Sequence, residues 1–241
     1  MMAPPLIQTI GLGMRFGGVQ AVRSVDFTLE EGELRCLIGP NGAGKSTFFK
    51  MLTGQLQPTS GQVLFRGRDI SRGLAHNIAR LGIGIKTQVP SVFDGLSVRE
   101  NLWLSARRTH HGRLANQAVD AMLERVGLTE VTSRLVGQLA HGQRQWVELG
   151  LVLLTEPELI LLDEPAAGMT HEEVLKTAEL VREINRTRAL IVVEHDMQFI
   201  RMIATKVTVF NQGAVLVEDS MANILCNPVV RDVYLGKQAV A

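Results

Sequence analysis

Gly39-Pro40-Asn41-Gly42-Ala43-Gly44-Lys45-Ser46 fits the pattern G-x-x-x-x-G-K-S/T. The chemistry this spacing serves is the holding of a polyphosphate. Glycines let the backbone curl until successive N–H groups, from Gly39, Asn41, Gly42, Ala43 and Gly44, face phosphate oxygens. A helix opening at Lys45 adds its positive end. Lys45 is then placed to neutralise the β and γ phosphates, Ser46 to ligate Mg²⁺ and Thr47 to donate to the α phosphate. Two further apolar runs end in polar groups. Leu159–Leu162 leads into Asp163-Glu164, where Asp163 would hold Mg²⁺ through water and Glu164 would polarise an attacking water as a base. Leu190–Val193 leads into Glu194-His195-Asp196, and His195 would reach a γ phosphate and sense it. Taken alone, these ends are as readily a solvated acidic turn and a histidine hydrogen-bonded for structural reasons. Beside the phosphate loop, the acid pair supplies the second half of a phosphoryl-transfer site.

The elements that must position these groups are partly visible. β-like runs occur at Leu6–Ile10, Val25–Leu29, Leu34–Ile38 and Val63–Phe65, and again at Leu159–Leu162, Ala189–Val193, Lys206–Phe210 and Ala214–Val217. A helix is expected from Lys45 to about Thr53, ended by Gly54. Ser97-Val98-Arg99-Glu100 and Thr170-His171-Glu172-Glu173 are capping boxes, opening helices to about Arg108 and about Asn185. The stretch from Pro90 to Gly150 reads as mostly helical, broken at Gly112, Gly127 and Gly137. Strand, helix and strand in succession predict an α/β core with a mostly parallel sheet, interrupted by a helical lobe.

Composition limits the function classes. The chain has 241 residues, enough for one large domain, with 25 Lys+Arg against 24 Asp+Glu. That balance, with no basic patch interleaved with aromatics, argues against a nucleic-acid partner. Mean hydropathy is high at +0.13, yet no apolar run reaches the roughly 18–20 residues of a bilayer span. Met1–Pro5 has no signal-peptide character. Cys36 and Cys226 fit a reducing compartment rather than a disulfide or metal framework. No N-K-x-D string is present to read guanine.

Together the motifs resemble the ATP-binding subunits of ABC transporters, over nearly the whole chain. In that likeness Gly39–Thr47 is Walker A, Leu159–Asp163 is Walker B followed by the catalytic Glu164, and His195 is the switch histidine. Gln88 stands where the Q-loop glutamine touches Mg²⁺ and the attacking water. Leu139-Ala140-His141-Gly142-Gln143 stands where the signature belongs, Ala166-Ala167-Gly168-Met169 where the D-loop belongs, and Phe16 where an aromatic stacks on adenine. The resemblance implies an ABC ATPase fold: a RecA-like P-loop NTPase core with an N-terminal antiparallel β-subdomain and an inserted helical subdomain. The chain is then a single ABC ATPase domain, with residues 1–89 and 151–241 as core and 90–150 as the helical signature subdomain.

It also implies ATP and Mg²⁺ as ligands. A second ATPase subunit would complete an ATP sandwich in which Ala140, His141, Gly142 and Gln143 face the nucleotide of the partner. Membrane permease subunits would dock by a groove near Val92 and Phe93, with a solute-binding protein as an indirect partner. The place of action is the cytoplasmic face of the membrane. Within the family the chain is similar to the importers of branched-chain amino acids, amides and urea. His141 inside the signature, Gly142-Gln143-Arg144-Gln145-Trp146 and Ala167-Gly168-Met169 put urea first, ahead of a branched-chain amino acid or short amide. The signature departs from the family pattern: Ala140 replaces the serine that donates to the γ phosphate, and His141 replaces the first glycine. A weakened composite site is expected, with His141 as a substitute donor, and a nucleotide-gated subunit with a more active partner is the rival reading.

Overall fold

The computed structural model of the chain describes residues 4–235. β1 (Ile7–Phe16) and β2 (Val19–Leu29) form a hairpin, and β3 (Leu34–Ile38) leads through the glycine-rich loop into α1 (Lys45–Leu52). β4 (Ser60–Phe65), β5 (Arg68–Asp69), α2 (Ala75–Arg80) and β6 (Ile83–Lys86) follow. A helical stretch holds α3 (Val98–Ala106), α4 (Arg113–Arg125) and α5 (His141–Leu153). The chain then alternates through β7 (Leu159–Asp163), α6 (His171–Asn185), β8 (Ala189–Val193), α7 (Met197–Ile203), β9 (Lys206–Asn211) and β10 (Ala214–Ser220). The described residues close with α8 (Met221–Cys226) and α9 (Pro228–Leu235).

Two sheets form. One is antiparallel, in the order β2-β1-β4-β5; the other has six strands in the order β10-β9-β3-β8-β7-β6. In the second, β3, β6, β7, β8 and β9 run parallel and β10 is an antiparallel edge. The order places β8 between the strand of the phosphate loop and the strand of Asp163, so three functional strand ends lie side by side. Alternation carries the two faces of this sheet into different cores. Leu159, Leu161, Ile191 and Val193 pack with α1 and the antiparallel sheet. Ile160, Leu162, Leu190 and Val192 pack toward the helices, in a core shared with Leu102, Val119 and Trp146.

Arg35 joins the sheets. It is fully buried, pairs with Glu33 at 2.5 Å and with Glu218, donates to Thr208 at 2.9 Å and to the Thr28 carbonyl at 3.1 Å, and lies over the Phe27 ring. Two partly exposed carboxylates compensate its charge, and removing both would leave a buried guanidinium unpaired.

The structure extends the expected elements. β1 and β2 are twice the length their apolar runs imply, because register shifts between Thr9 and Leu12 and between Leu12 and Met14 break the alternation. β6 has only four residues, Ile-Gly-Ile-Lys, too few for a pattern. Both capping boxes form as expected, at Ser97 and at Thr170. α5 runs through position 150 and ends at Leu153.

Candidate functional site

The phosphate loop is built by backbone that only glycine adopts comfortably. Gly39, Gly42 and Gly44 have φ of 149°, 78° and 100°. A Cβ on Gly39 would fall 2.2 Å from the Phe210 carbonyl oxygen, and one on Gly44 2.6 Å from that of Ala21. Gly44 is the left-handed N-cap of α1, so the helix starts with unpaired N–H groups directed at the loop. Lys45 Nζ donates to the carbonyls of Gly39 (2.6 Å) and Pro40 (3.2 Å), across the mouth of the loop. Burial lowers the pKa of its ammonium, and the charges of Glu164 and Asp163 oppose that shift. Asn41, Gly42 and Ser46 are exposed, Thr47 is half-buried and Ala43 is buried in the core beneath.

Facing this loop are the ends of β7 and β8. Asp163 closes β7, half-buried. Burial raises its carboxyl pKa, Glu164 adds to the rise, and Lys86 opposes it. Glu164 has φ of +47°, a left-handed conformation that a non-glycine side chain adopts at a cost. Its N–H donates to the Val193 carbonyl at 2.9 Å, holding the turn against β8. Gln88 Nε2 donates to Glu164 Oε2 at 2.7 Å, and His195 Nδ1 lies 3.3 Å from Glu164 Oε1. The carboxylate at the end of β7 thus meets one residue from the end of β6 and one from the end of β8, beside the glycine-rich loop.

Glu194 was not visible as a functional residue. It is 1% exposed and accepts N–H groups from Ala166 (3.2 Å), His195 (2.9 Å) and Asp196 (3.3 Å). It pins the Asp163–Gly168 turn to the strand end that carries His195. The sequence signal is an acid directly after an apolar run, one residue beyond the Val193 that pairs with Asp163.

Lys86 and Glu148 are 1% and 3% exposed, and their charged ends are 3.7 Å apart. Burial lowers the pKa of Lys86 and raises that of Glu148, and each charge opposes the other's shift.

The signature residues open α5. Ala140 is its N-cap without a side-chain acceptor, and only the reciprocal half of a capping box is present, Ala140 N–H to Gln143 Oε1 at 3.2 Å. Gly142 is buried where a Cβ would lie 2.3 Å from Glu173 Oε1. The His141 imidazole is engaged within its own chain: Nε2 is 3.0 Å from the Ala167 carbonyl and 3.1 Å from Gln145 Nε2, and the ring packs on Gly168. Phe16 is about half exposed at the tip of the β1–β2 hairpin. The pair near the expected groove divides: Val92 packs on the helical core, whereas Phe93 is exposed.

Among the described residues no three His, Cys, Asp or Glu side chains gather to hold a metal alone. The Ser46 hydroxyl and the Asp163 carboxylate fit an ion whose other ligands come with a phosphate chain.

Comparison with known proteins agrees with this geometry. The ABC transporter family profile matches residues 22–167. The high-affinity branched-chain amino acid transport ATP-binding protein LivG of Salmonella typhimurium is 35% identical over 98% of this chain and 100% of its own length. BraF of Pseudomonas aeruginosa, with the same description, is equally similar over the same spans. A solved ATP-binding cassette of an ABC transporter superposes with a TM-score of 0.88 at 25% identity, covering 97% of this chain and 99% of that one. The ADP conformation of such a cassette gives 0.85 at 26% identity, over 98% and 100%. With the phosphate loop, the acid pair and this fold in one chain, the protein belongs to the ABC transporter family, as one of its ATP-binding, ATP-hydrolysing subunits.

Proposed function

We propose that the chain is the motor subunit of an importer, and that Glu164 is the base that activates water against the γ phosphate of ATP. The observation that carries this reading is the convergence of Gln88 and His195 on the Glu164 carboxylate beside the Lys45 loop. Asn41, Ala43 and their neighbouring N–H groups cradle the phosphates, Lys45 neutralises them and Thr47 donates to the α phosphate. Ser46, Asp163 and Gln88 hold Mg²⁺, which supplies charge neutralisation at the phosphate oxygens. His195 senses the γ phosphate and Phe16 stacks on adenine. Among the described residues, 4–89 and 154–235 act as the core and 90–153 as the signature-bearing lobe, since α5 carries the expected boundary at 150 on to Leu153.

Ala140, His141, Gly142 and Gln143 serve the nucleotide held by a second ATPase subunit. Membrane permeases dock near Phe93, with a solute-binding protein further away. No helix among the described residues is long and apolar enough to cross a membrane. This fits a subunit recruited to the cytoplasmic face of one by its permeases.

The cargo reading changes. The signature and D-loop residues favoured urea, whereas the full-length relatives are named for branched-chain amino acid transport. A branched-chain amino acid or a related amide is the better-supported solute. One observation favours a subordinate reading as well: Ala140 has no hydroxyl and His141 is occupied by its own D-loop, so the site completed by this signature is the slower of a pair.

The test has two parts. Glu164→Gln should bind ATP as the wild type does but lose at least about 10²-fold in turnover, the scale of a general base; full steady-state turnover refutes the base. Uptake of labelled leucine and urea is then compared in a strain lacking the gene, and loss of urea uptake alone overturns the cargo assignment.

A further inference from the structure

Gln88 is exposed and sits on a loop, so something must hold that loop in place. The strand before it ends in Lys86, and α5, the helix opened by the signature, carries Glu148 directly opposite. The Glu148 carboxylate reaches both sides of Gln88. Its Oε1 accepts the Ser91 N–H at 3.0 Å and lies 3.2 Å from the Thr87 hydroxyl. Its Oε2 is buried with no hydrogen-bond partner and faces the Lys86 ammonium at 3.7 Å. Lys86 Nζ in turn donates to the Thr87 carbonyl at 3.3 Å. The same carboxylate lines a cavity of about 270 Å³ that runs between β6, α3 and α5, with Ser105 and Arg108 on its far wall.

These contacts cross between the strand that presents Gln88 and the helix that presents the signature. One oxygen of the carboxylate holds the loop on both sides of Gln88, at Thr87 and Ser91, and the other faces the ammonium at the end of β6. If α5 shifts relative to β6, the anchors at Thr87 and Ser91 are drawn with it while Lys86 stays with β6, and Gln88 lies between them.

We propose that Glu148 is a positioning residue: through Lys86, Thr87 and Ser91 it sets Gln88 against Glu164, and so makes turnover depend on where the signature helix lies. This rests on the assignment of Glu164 as base. It adds that the buried acid of α5 controls that base without touching nucleotide.

Breaking a buried pair from one side endangers folding, so the charges are best removed together. Lys86→Met/Glu148→Gln keeps an acceptor oxygen for Ser91 and Thr87, whereas Lys86→Met/Glu148→Leu keeps the volume and removes the acceptor. Thr87→Val, at a half-buried site, leaves the Lys86–Glu148 pair in place and removes one anchor together with the hydroxyl's bond to the Val89 carbonyl at 2.8 Å. Each full-length variant is assayed for ATP turnover, ATP affinity and melting midpoint. The Leu variant should lose at least tenfold in kcat with ATP affinity within twofold of the wild type. The Gln variant should recover most of that loss, and Thr87→Val should fall between the wild type and the Leu variant.

Equal kcat in the Gln and Leu variants overturns the proposal, as does a loss of kcat matched by a loss of ATP affinity. If the double variants do not fold, wild-type kcat in Thr87→Val overturns it. Glu164→Gln in the same series separates the two assignments. Full turnover there removes the base, whereas lost turnover there with equal kcat in the two double variants removes only Glu148.

Discussion

Glu194→Gln probes the buried carboxylate that joins two of the strand ends. The wild-type side chain takes Ala166 N–H on one oxygen, and His195 and Asp196 N–H on the other. Glutamine offers a single acceptor oxygen. Turned toward His195 and Asp196 it keeps two bonds and sets its own NH₂ against the N–H of Ala166; turned the other way it keeps one. The better choice loses one hydrogen bond to a charged acceptor, about 1.5–3 kcal/mol. For a chain of this size each kcal/mol moves the melting midpoint by roughly 2–4 °C, so the fall should be roughly 3–12 °C. The bond sacrificed is the one that ties the Asp163–Gly168 turn to the His195 strand end, so turnover should fall more than nucleotide affinity. Melting of the nucleotide-free protein, equilibrium ATP binding and steady-state hydrolysis read these separately. Glu194→Ala, which strands all three donors, should be worse on every scale. A Glu194→Gln protein that melts with the wild type and hydrolyses ATP at the wild-type rate would refute the reasoning.

Two other substitutions follow from the same geometry. Ala140→Ser places a hydroxyl at the N-cap of α5, which should raise stability by about 1 kcal/mol. If that hydroxyl also donates to a γ phosphate across the dimer, turnover should rise by about ten- to a hundredfold; unchanged or lower ATPase counts against the weakened-signature account. Asp163→Asn separates stability from activity. The folded pKa of Asp163 lies above its ordinary value of 3.8 because burial and then Glu164 disfavour the charge. The cost is therefore absent at pH below 3.8, enters as pH rises toward the folded value, and is fully present above it. Nucleotide-free Asp163→Asn should be more stable than the wild type at pH 7, by a margin that shrinks as pH falls through that window, while its turnover is lost. A lower denaturation midpoint for the variant at pH 7 contradicts this.

What could be read without coordinates was what neighbours in sequence decide. The phosphate loop is contiguous, its glycines announce the φ values they take, and the strand before it is a run of five buried residues. Asp163 and His195 were legible because each follows an apolar run whose end must lie at the edge of a parallel sheet. Strands β1 and β2 were half-legible, since bulges reset the alternation partway along. The left-handed turn at Glu164 left no trace, because the residue that adopts it is not a glycine.

The residues that escaped share a different property. Arg35, Lys86, Glu148 and Glu194 are of types that composition assigns to the surface, and each is buried where two or more elements cross. Arg35 ties the antiparallel sheet to the parallel one, Glu194 ties two strand ends, and Lys86 with Glu148 ties the core to the signature helix. Each also has a partner far along the chain, as far as 183 residues in the case of Arg35 and Glu218, so no short window of sequence contains the whole set of contacts. A buried ion is costly unless its partner arrives, which makes each of these sites sensitive to the relative placement of the elements it joins. The apolar core, being non-directional, holds the lobes together without specifying where Gln88 and His195 stand relative to Glu164.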